Sequence, residues 1–226
     1  MSGRIEGKRV LVTQASDYMG PATEKLFAAE GAHVTTDTSD LTQPGRCEAL
    51  VEASGEIDIL VAKLASPNFS GIATAELNDA DWQTTFDMMV HPLHRLCRAV
   101  LPQMIERKKG KIVVFGSAAA LKGMKTLAAY SAARAAQVGY VQSLGVEVAP
   151  HNVQVNLIAQ NYVENSVYYP PELQQNEGFK KSLRRQVPLG RLARAEEDAL
   201  FALFLASEES DFFVGQAIPF SGGWTQ

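Results

Sequence analysis

Short runs of β-branched and aliphatic residues alternate along the chain with longer stretches whose apolar positions recur every three or four residues. The short runs predict strands at Arg9–Thr13, His33–Thr36, Ile57–Ala62, Lys111–Gly116, Gln154–Leu157 and Gln216–Pro219. The longer stretches predict helices over Ala22–Glu30, Gly45–Ala53, Asp79–Lys108, Leu127–Ala149 and Ala195–Ala206;. The courses of Ala65–Ala75 and Gln160–Phe179 are not legible from the pattern. No repeat, linker or low-complexity tract interrupts it, so residues 1–226 read as a single domain;.

This alternation implies an α/β fold: a Rossmann-like, doubly wound parallel sheet in three layers, with right-handed crossovers placing helices on both faces. Ligands of such sheets bind at the carboxyl ends of the strands, at the switch point. That places the turn Thr13–Gly20, the strand end near Ser117 and the loop following Leu157 around one crevice. Only about twenty residues separate the second and third predicted strands, room for one helix but not for a helix, a strand and a second helix;. One edge βα unit is therefore expected to be missing, on the side where a dinucleotide's adenosine half would lie.

Composition narrows the chemistry mainly by exclusion. A net charge of −4 gives no electrostatic reason to expect nucleic acid or an anionic membrane surface;. No apolar run has the length of a membrane span, and the first residues lack a signal-peptide core;. Cys47 and Cys97 match no metal or redox spacing and read as reduced thiols of a cytoplasmic protein;. The histidines, at 33, 91, 94 and 151, form no ligand cluster, so no metal is expected.

Four segments carry a family resemblance: Ile112-Val-Val-Phe-Gly-Ser117, Tyr130-Ser-Ala-Ala-Arg134, Val187-Pro-Leu-Gly-Arg-Leu-Ala193 and Gly215-Gln-Ala-Ile-Pro-Phe-Ser-Gly-Gly223. Together they resemble the short-chain dehydrogenase/reductase superfamily, nearly end to end. The departures fall on that superfamily's cofactor and catalytic positions. Of its first-turn pattern Thr-Gly-x-x-x-Gly-x-Gly only Thr13 and Gly20 remain, with Gln14 and Tyr18 in the other glycine places. Its Asn-Asn-Ala-Gly becomes Ala62-Lys-Leu-Ala65, and its helix asparagine falls on Met89. Its Tyr-x-x-x-Lys becomes Tyr130-x-x-x-Arg134, and its Pro-Gly becomes Ala159-Gln160.

Thr13-x4-Tyr18-x-Gly20, taken with Ser117-x12-Tyr130-x3-Arg134, resembles the motif pair of the halohydrin dehalogenases. These are cofactor-independent relatives that convert vicinal haloalcohols to epoxides and halide and run the reverse opening with small anions such as azide, cyanide or nitrite. The resemblance implies Ser117, Tyr130 and Arg134 as catalytic residues. It implies Thr13, Tyr18, Gln160, Asn161, Tyr162, Val163, Tyr168 and Tyr169 as halide- and substrate-binding residues, no cofactor, and a homotetramer. Two other readings stay open: an NAD(P)-dependent reductase with a divergent cofactor turn, and a non-catalytic relative.

The residue types suit the chemistry. Glycines in such a turn let backbone N–H groups approach a pyrophosphate at a helix N-terminus. A tyrosine ring at position 18 would lie where that pyrophosphate passes, while the helix start keeps its attraction for anions. A ring edge carries partial positive charge and suits the side of a halide pocket. Tyr130 and Arg134, four apart on one helix, share a face. A unit positive charge about 5 Å away at an effective dielectric of about 20 favours a phenolate by roughly 3 kcal/mol. Arginine keeps that charge at any working pH. Ser117 supplies a hydroxyl donor for the substrate oxygen. Gln160 and Asn161 offer amides, and Tyr162, Tyr168 and Tyr169 rings and walls; such tyrosine clusters also serve plain packing. Trp224 reads as structural, or as reaching a neighbouring subunit.

Overall fold

The computed structural model describes residues 3–226. Six strands alternate with helices: β1 Arg9–Val12, α1 Gly20–Ala29, β2 His33–Thr36, α2 Arg46–Ser54, β3 Ile59–Lys63, α3 Asp79–Met89, α4 His91–Arg107, β4 Gly110–Phe115, α5 Ala128–Val148, β5 Val153–Gln160, α6 Pro171–Gln175, α7 Glu177–Gln186, α8 Ala195–Ala206 and β6 Ala217–Phe220. All pair in parallel in one sheet of order β2-β1-β3-β4-β5-β6. The chain order reverses between β1 and β3, which is the switch point.

Strand periodicity sorts the core into two halves. Leu11, Leu60, Ala62, Ile112, Val114, Val155 and Leu157 face the layer of α2, α4 and α5. Val10, Val12, Ile59, Val61, Val113, Phe115 and Ile158 face α1 and α8. Because both faces are covered, the central strands read as continuous apolar runs rather than alternating ones. The exception is β2, His-Val-Thr-Thr, whose residues are mostly exposed. It is one edge of the sheet, the half-buried β6 being the other, and only α2 lies between it and β3, as the short spacing predicts;.

Three expectations need correction. The helix predicted over Asp79–Lys108 is two helices that break at Val90. Pro92 lacks the N–H that a continuous helix would donate to Met88, so the ladder cannot run through. The stretch before Phe179, which periodicity left unread, contains α6 and leads into α7, capped by the Asn176 side chain on the Phe179 N–H. Residues 158–160, predicted to open the loop following Leu157, belong to β5, so the loop starts at Asn161.

No described helix is long and apolar enough to cross a membrane, and no described cluster of His, Cys, Asp and Glu could hold a metal ion.

Candidate active site

The turn following β1 keeps a dinucleotide-type backbone with unusual residues in it. Gln14 and Tyr18, at the two lost glycine positions, have φ of 45° and 48°. Left-handed backbone costs a side-chain-bearing residue about 1–2 kcal/mol, so surrounding contacts must hold both residues there. The Gln14 Oε1 accepts the Ala65 N–H at 2.8 Å, and the Lys63 ammonium donates to the Gln14 carbonyl and to Asp17. Gly20 is retained for a separate reason: a β-carbon there would collide with the Ala15 carbonyl.

Ser117 lies two residues past β4 and starts a short 3-10 turn, its Oγ accepting the Ala119 N–H at 3.2 Å. That bond uses an acceptor site, and the hydroxyl proton is given to no described residue. Tyr130 and Arg134 project from the first two turns of α5. The guanidinium carbon stands 5.1 Å from the Tyr130 ring centroid. The phenol itself bonds to no described residue.

Arg134 is only 6% exposed, yet no carboxylate pairs with it. Its Nη1 donates to the Phe115 carbonyl at 3.1 Å and to the Gln137 Oε1 at 2.9 Å, and its Nε has no partner. Gln137, fully buried, donates in turn to the Met89 carbonyl at 2.9 Å, where the α3–α4 break leaves that oxygen free. A buried cation held by neutral groups alone leaves an excess positive field in the pocket.

Across from these residues runs the loop 161–169. Tyr162 is left-handed at φ 56°, its N–H donating to the Asn161 Oδ1 at 2.9 Å. The neighbouring Val163 N–H is buried and donates to no described residue, although the residues on either side pair with Ala193. The Asn165 Oδ1 accepts the Tyr168 N–H at 2.8 Å and so aims Tyr168 inward, its ring 5.3 Å from that of Tyr18. Tyr169 stacks on Tyr162 at 6.3 Å and meets Phe179 at 5.8 Å. Burial pushes the Tyr169 phenol above its ordinary range, with Tyr162 and Tyr130 adding to the effect. It therefore stays a neutral donor.

One cavity collects these groups. Its wall includes Tyr18, Ser117, Tyr130, Arg134, Gln160, Asn161, Tyr162, Val163, Tyr168 and Tyr169, together with Lys63 and Asn165. Thr13 alone among the sequence-predicted site residues lies behind it; its hydroxyl donates to the Lys63 carbonyl at 2.8 Å and ties β1 to β3. Trp224 packs within its own chain, under Lys122 at 4.4 Å and against Tyr162 at 6.1 Å.

Sequence reasoning missed Lys63, Gln137 and Asn165. Gln137 had a usable signal: it follows Arg134 by three residues on an otherwise apolar helix face. Lys63 was marked only as part of the departure from the superfamily's Asn-Asn-Ala-Gly and given no role, since a charge at the end of an apolar strand usually means a strand emerging into solvent.

Comparison with known proteins agrees with the sheet. A family model described as enoyl-(acyl carrier protein) reductase matches residues 4–225. The 3-oxoacyl-[acyl-carrier-protein] reductase FabG of Escherichia coli is 32% identical over 97% of this chain and 98% of its own. The dehydrogenase/reductase SDR family member 6 of Danio rerio is 29% identical over 98% of this chain and 99% of its own. A solved structure described as a dehalogenation enzyme superposes with a TM-score of 0.91 at 31% identity, covering 98% of this chain and 99% of that one. The halohydrin dehalogenase HheC bound to ethyl (2S)-oxiran-2-ylacetate gives 0.88 at 25% identity, covering 96% and 97%. With the parallel sheet, the crevice at its switch point and a family model spanning nearly its whole length, the chain belongs to the short-chain dehydrogenase/reductase superfamily.

Proposed function

We propose that the chain is a cofactor-independent carbon–halogen lyase. It closes small vicinal haloalcohols to epoxides with release of halide and a proton, and it runs the reverse opening of epoxides by small anions. The observation that carries this reading is the placement of Tyr18. It stands on the turn that serves a dinucleotide in this superfamily, yet it lines one cavity with Ser117, Tyr130 and Arg134.

The residues present do not fit a dinucleotide. Tyr18 packs on Tyr168 across the crevice. Gln14 and Lys63 cross-link the first turn to the segment following β3, at the switch point itself. Asp37, the acid following β2 that would take a ribose hydroxyl, already accepts from Ser39 and Arg46 and is 6% exposed.

The chemistry then runs on groups of the chain itself. The Ser117 hydroxyl donates to the substrate oxygen, and the Tyr130 phenolate removes that oxygen's proton. The freed electron pair closes the C–O bond from behind while the C–X bond breaks and its pair leaves with the halide. The Val163 N–H, which donates to no described residue, and the Gln160 and Asn161 side-chain amides are the loop donors available to the departing anion in the cavity. Arg134 holds its charge over Tyr130 through both steps, and the proton passes finally to solvent.

The deciding experiment is halide release from a small chloro- or bromo-alcohol by dialysed protein, with and without NADH or NADPH. Release indifferent to the nucleotide supports the lyase. No release, together with tight nucleotide binding, would replace it by a divergent reductase, the reading favoured by the names of the curated relatives.

Two further results are expected at this site. Arg134→Gln should lower halide release markedly, because it removes the buried charge held over the Tyr130 ring. Release close to native in a variant that still folds would reduce Arg134 to a packing role. Tyr18→Gly should relieve left-handed strain of about 1 kcal/mol, so the unfolding midpoint should change little. Halide product inhibition should nevertheless weaken, and unchanged inhibition would remove Tyr18 from the anion site.

A further inference from the structure

The cavity holds a second cation that the catalytic set does not use. Lys63, the last residue of β3, is 4% exposed and lines the pocket beside Tyr18, its ammonium 4.9 Å from the ring centroid. The Tyr18 ring thus meets both a buried ammonium and the tilted Tyr168 ring, 5.3 Å away. Among the described residues, no acidic side chain lines the cavity.

Lys63 pairs with Asp17, but the two charges are not equivalent seen from the pocket. The Asp17 side chain is 45% exposed, that of Lys63 5%. Water screens the carboxylate strongly and the ammonium weakly, so an anion in the cavity feels a net positive field from the pair. The ammonium also polarises the ring it covers, and it ties the first turn to β3 through the Gln14 carbonyl;.

We propose that Lys63 is the positioning residue and charge source of the anion subsite: it fixes the Tyr18 ring and supplies the positive field that selects a small monovalent anion, halide or azide. The proposal rests on the lyase reading for the anion's role as leaving group or nucleophile, though not for its binding. An asparagine in this place, as in the superfamily's usual pattern, supplies no such charge.

The test measures binding of chloride alone, by chloride-35 NMR line broadening on the whole protein, and so needs no turnover. Lys63→Met should weaken chloride binding by about tenfold or more, and Lys63→Arg should restore most of it. Asp17→Asn should move affinity the other way, tightening it severalfold, because it removes the opposing charge and leaves the Gln14 bond in place. A purely structural pair would instead loosen Tyr18 in both Lys63→Met and Asp17→Asn, weakening both; that result overturns the proposal, as does Lys63→Met binding chloride like the native protein. Native protein that binds no chloride overturns it too. Halide release with no Lys63 dependence of chloride binding would sink this proposal and leave the lyase standing. Lys63-dependent chloride binding without halide release would retire the lyase and keep the anion site.

Discussion

Tyr130→Phe is expected to cut halide release by about a hundredfold to ten-thousandfold, the range that one positioned proton-transfer group contributes. The change removes a single oxygen that bonds to no described residue, so it strands no buried partner and the fold should stand. The ring remains under the Arg134 guanidinium, 5.1 Å from its centre, so the cation–π contact survives. Loss of rate with an unchanged unfolding midpoint and unchanged chloride binding would assign the phenolic oxygen to proton removal. Turnover within a few-fold of native would mean that another base, or solvent, takes the proton. Ser117→Ala is a poorer probe, since the same oxygen caps the 3-10 turn and its loss mixes chemistry with local stability.

The second large effect concerns stability. Asp198, in the first turn of α8, is fully buried and neither carboxylate oxygen has a partner. Burial raises its pKa to about 8 from an ordinary 3.8. A carboxyl that holds its proton in the folded state and sheds it in the unfolded state makes stability fall as pH rises. Its contribution is therefore complete below about pH 4, declines by at most about 1.4 kcal/mol per pH unit, and is exhausted above the folded pKa. Denaturation midpoints measured from pH 5 to pH 8 should drop in the native protein relative to Asp198→Asn, which carries no titrating group there. Parallel pH profiles for the two proteins would show that Asp198 ionises in place, through water or a partner gained on breathing. The difference between the proteins isolates this one group, whatever the rest of the chain contributes.

Much of the architecture was legible in the residues. Strand positions came through because a sheet covered on both faces demands unbroken apolar runs, and Ile59–Ala62 and Ile112–Phe115 have nothing else in them;. The missing edge unit followed from a length too short to hold it. The α3–α4 break was written in Pro92 but lost beneath an apolar pattern that continues past it. α6 has no buried residue, and α7 turns only Phe179 and Leu183 inward, so each offers too few apolar positions to read as a period;.

The candidate chemistry is written in the chain: which residue types stand at Ser117, Tyr130 and Arg134, at what spacing, and that Gln14 and Tyr18 displace the glycines of a cofactor turn. Local spacing suffices there, because residues on one helix or one turn have a fixed mutual geometry. What those residues face is set by the packing of distant segments. Three loops separated by up to about 150 residues converge at the strand ends, and that convergence sets Tyr18 on Tyr168, leaves the Val163 N–H unpaired, moves Thr13 behind the wall and buries Lys63 inside it. Burial and the partners a group is denied are properties of the packed neighbourhood, and no one-dimensional pattern encodes them.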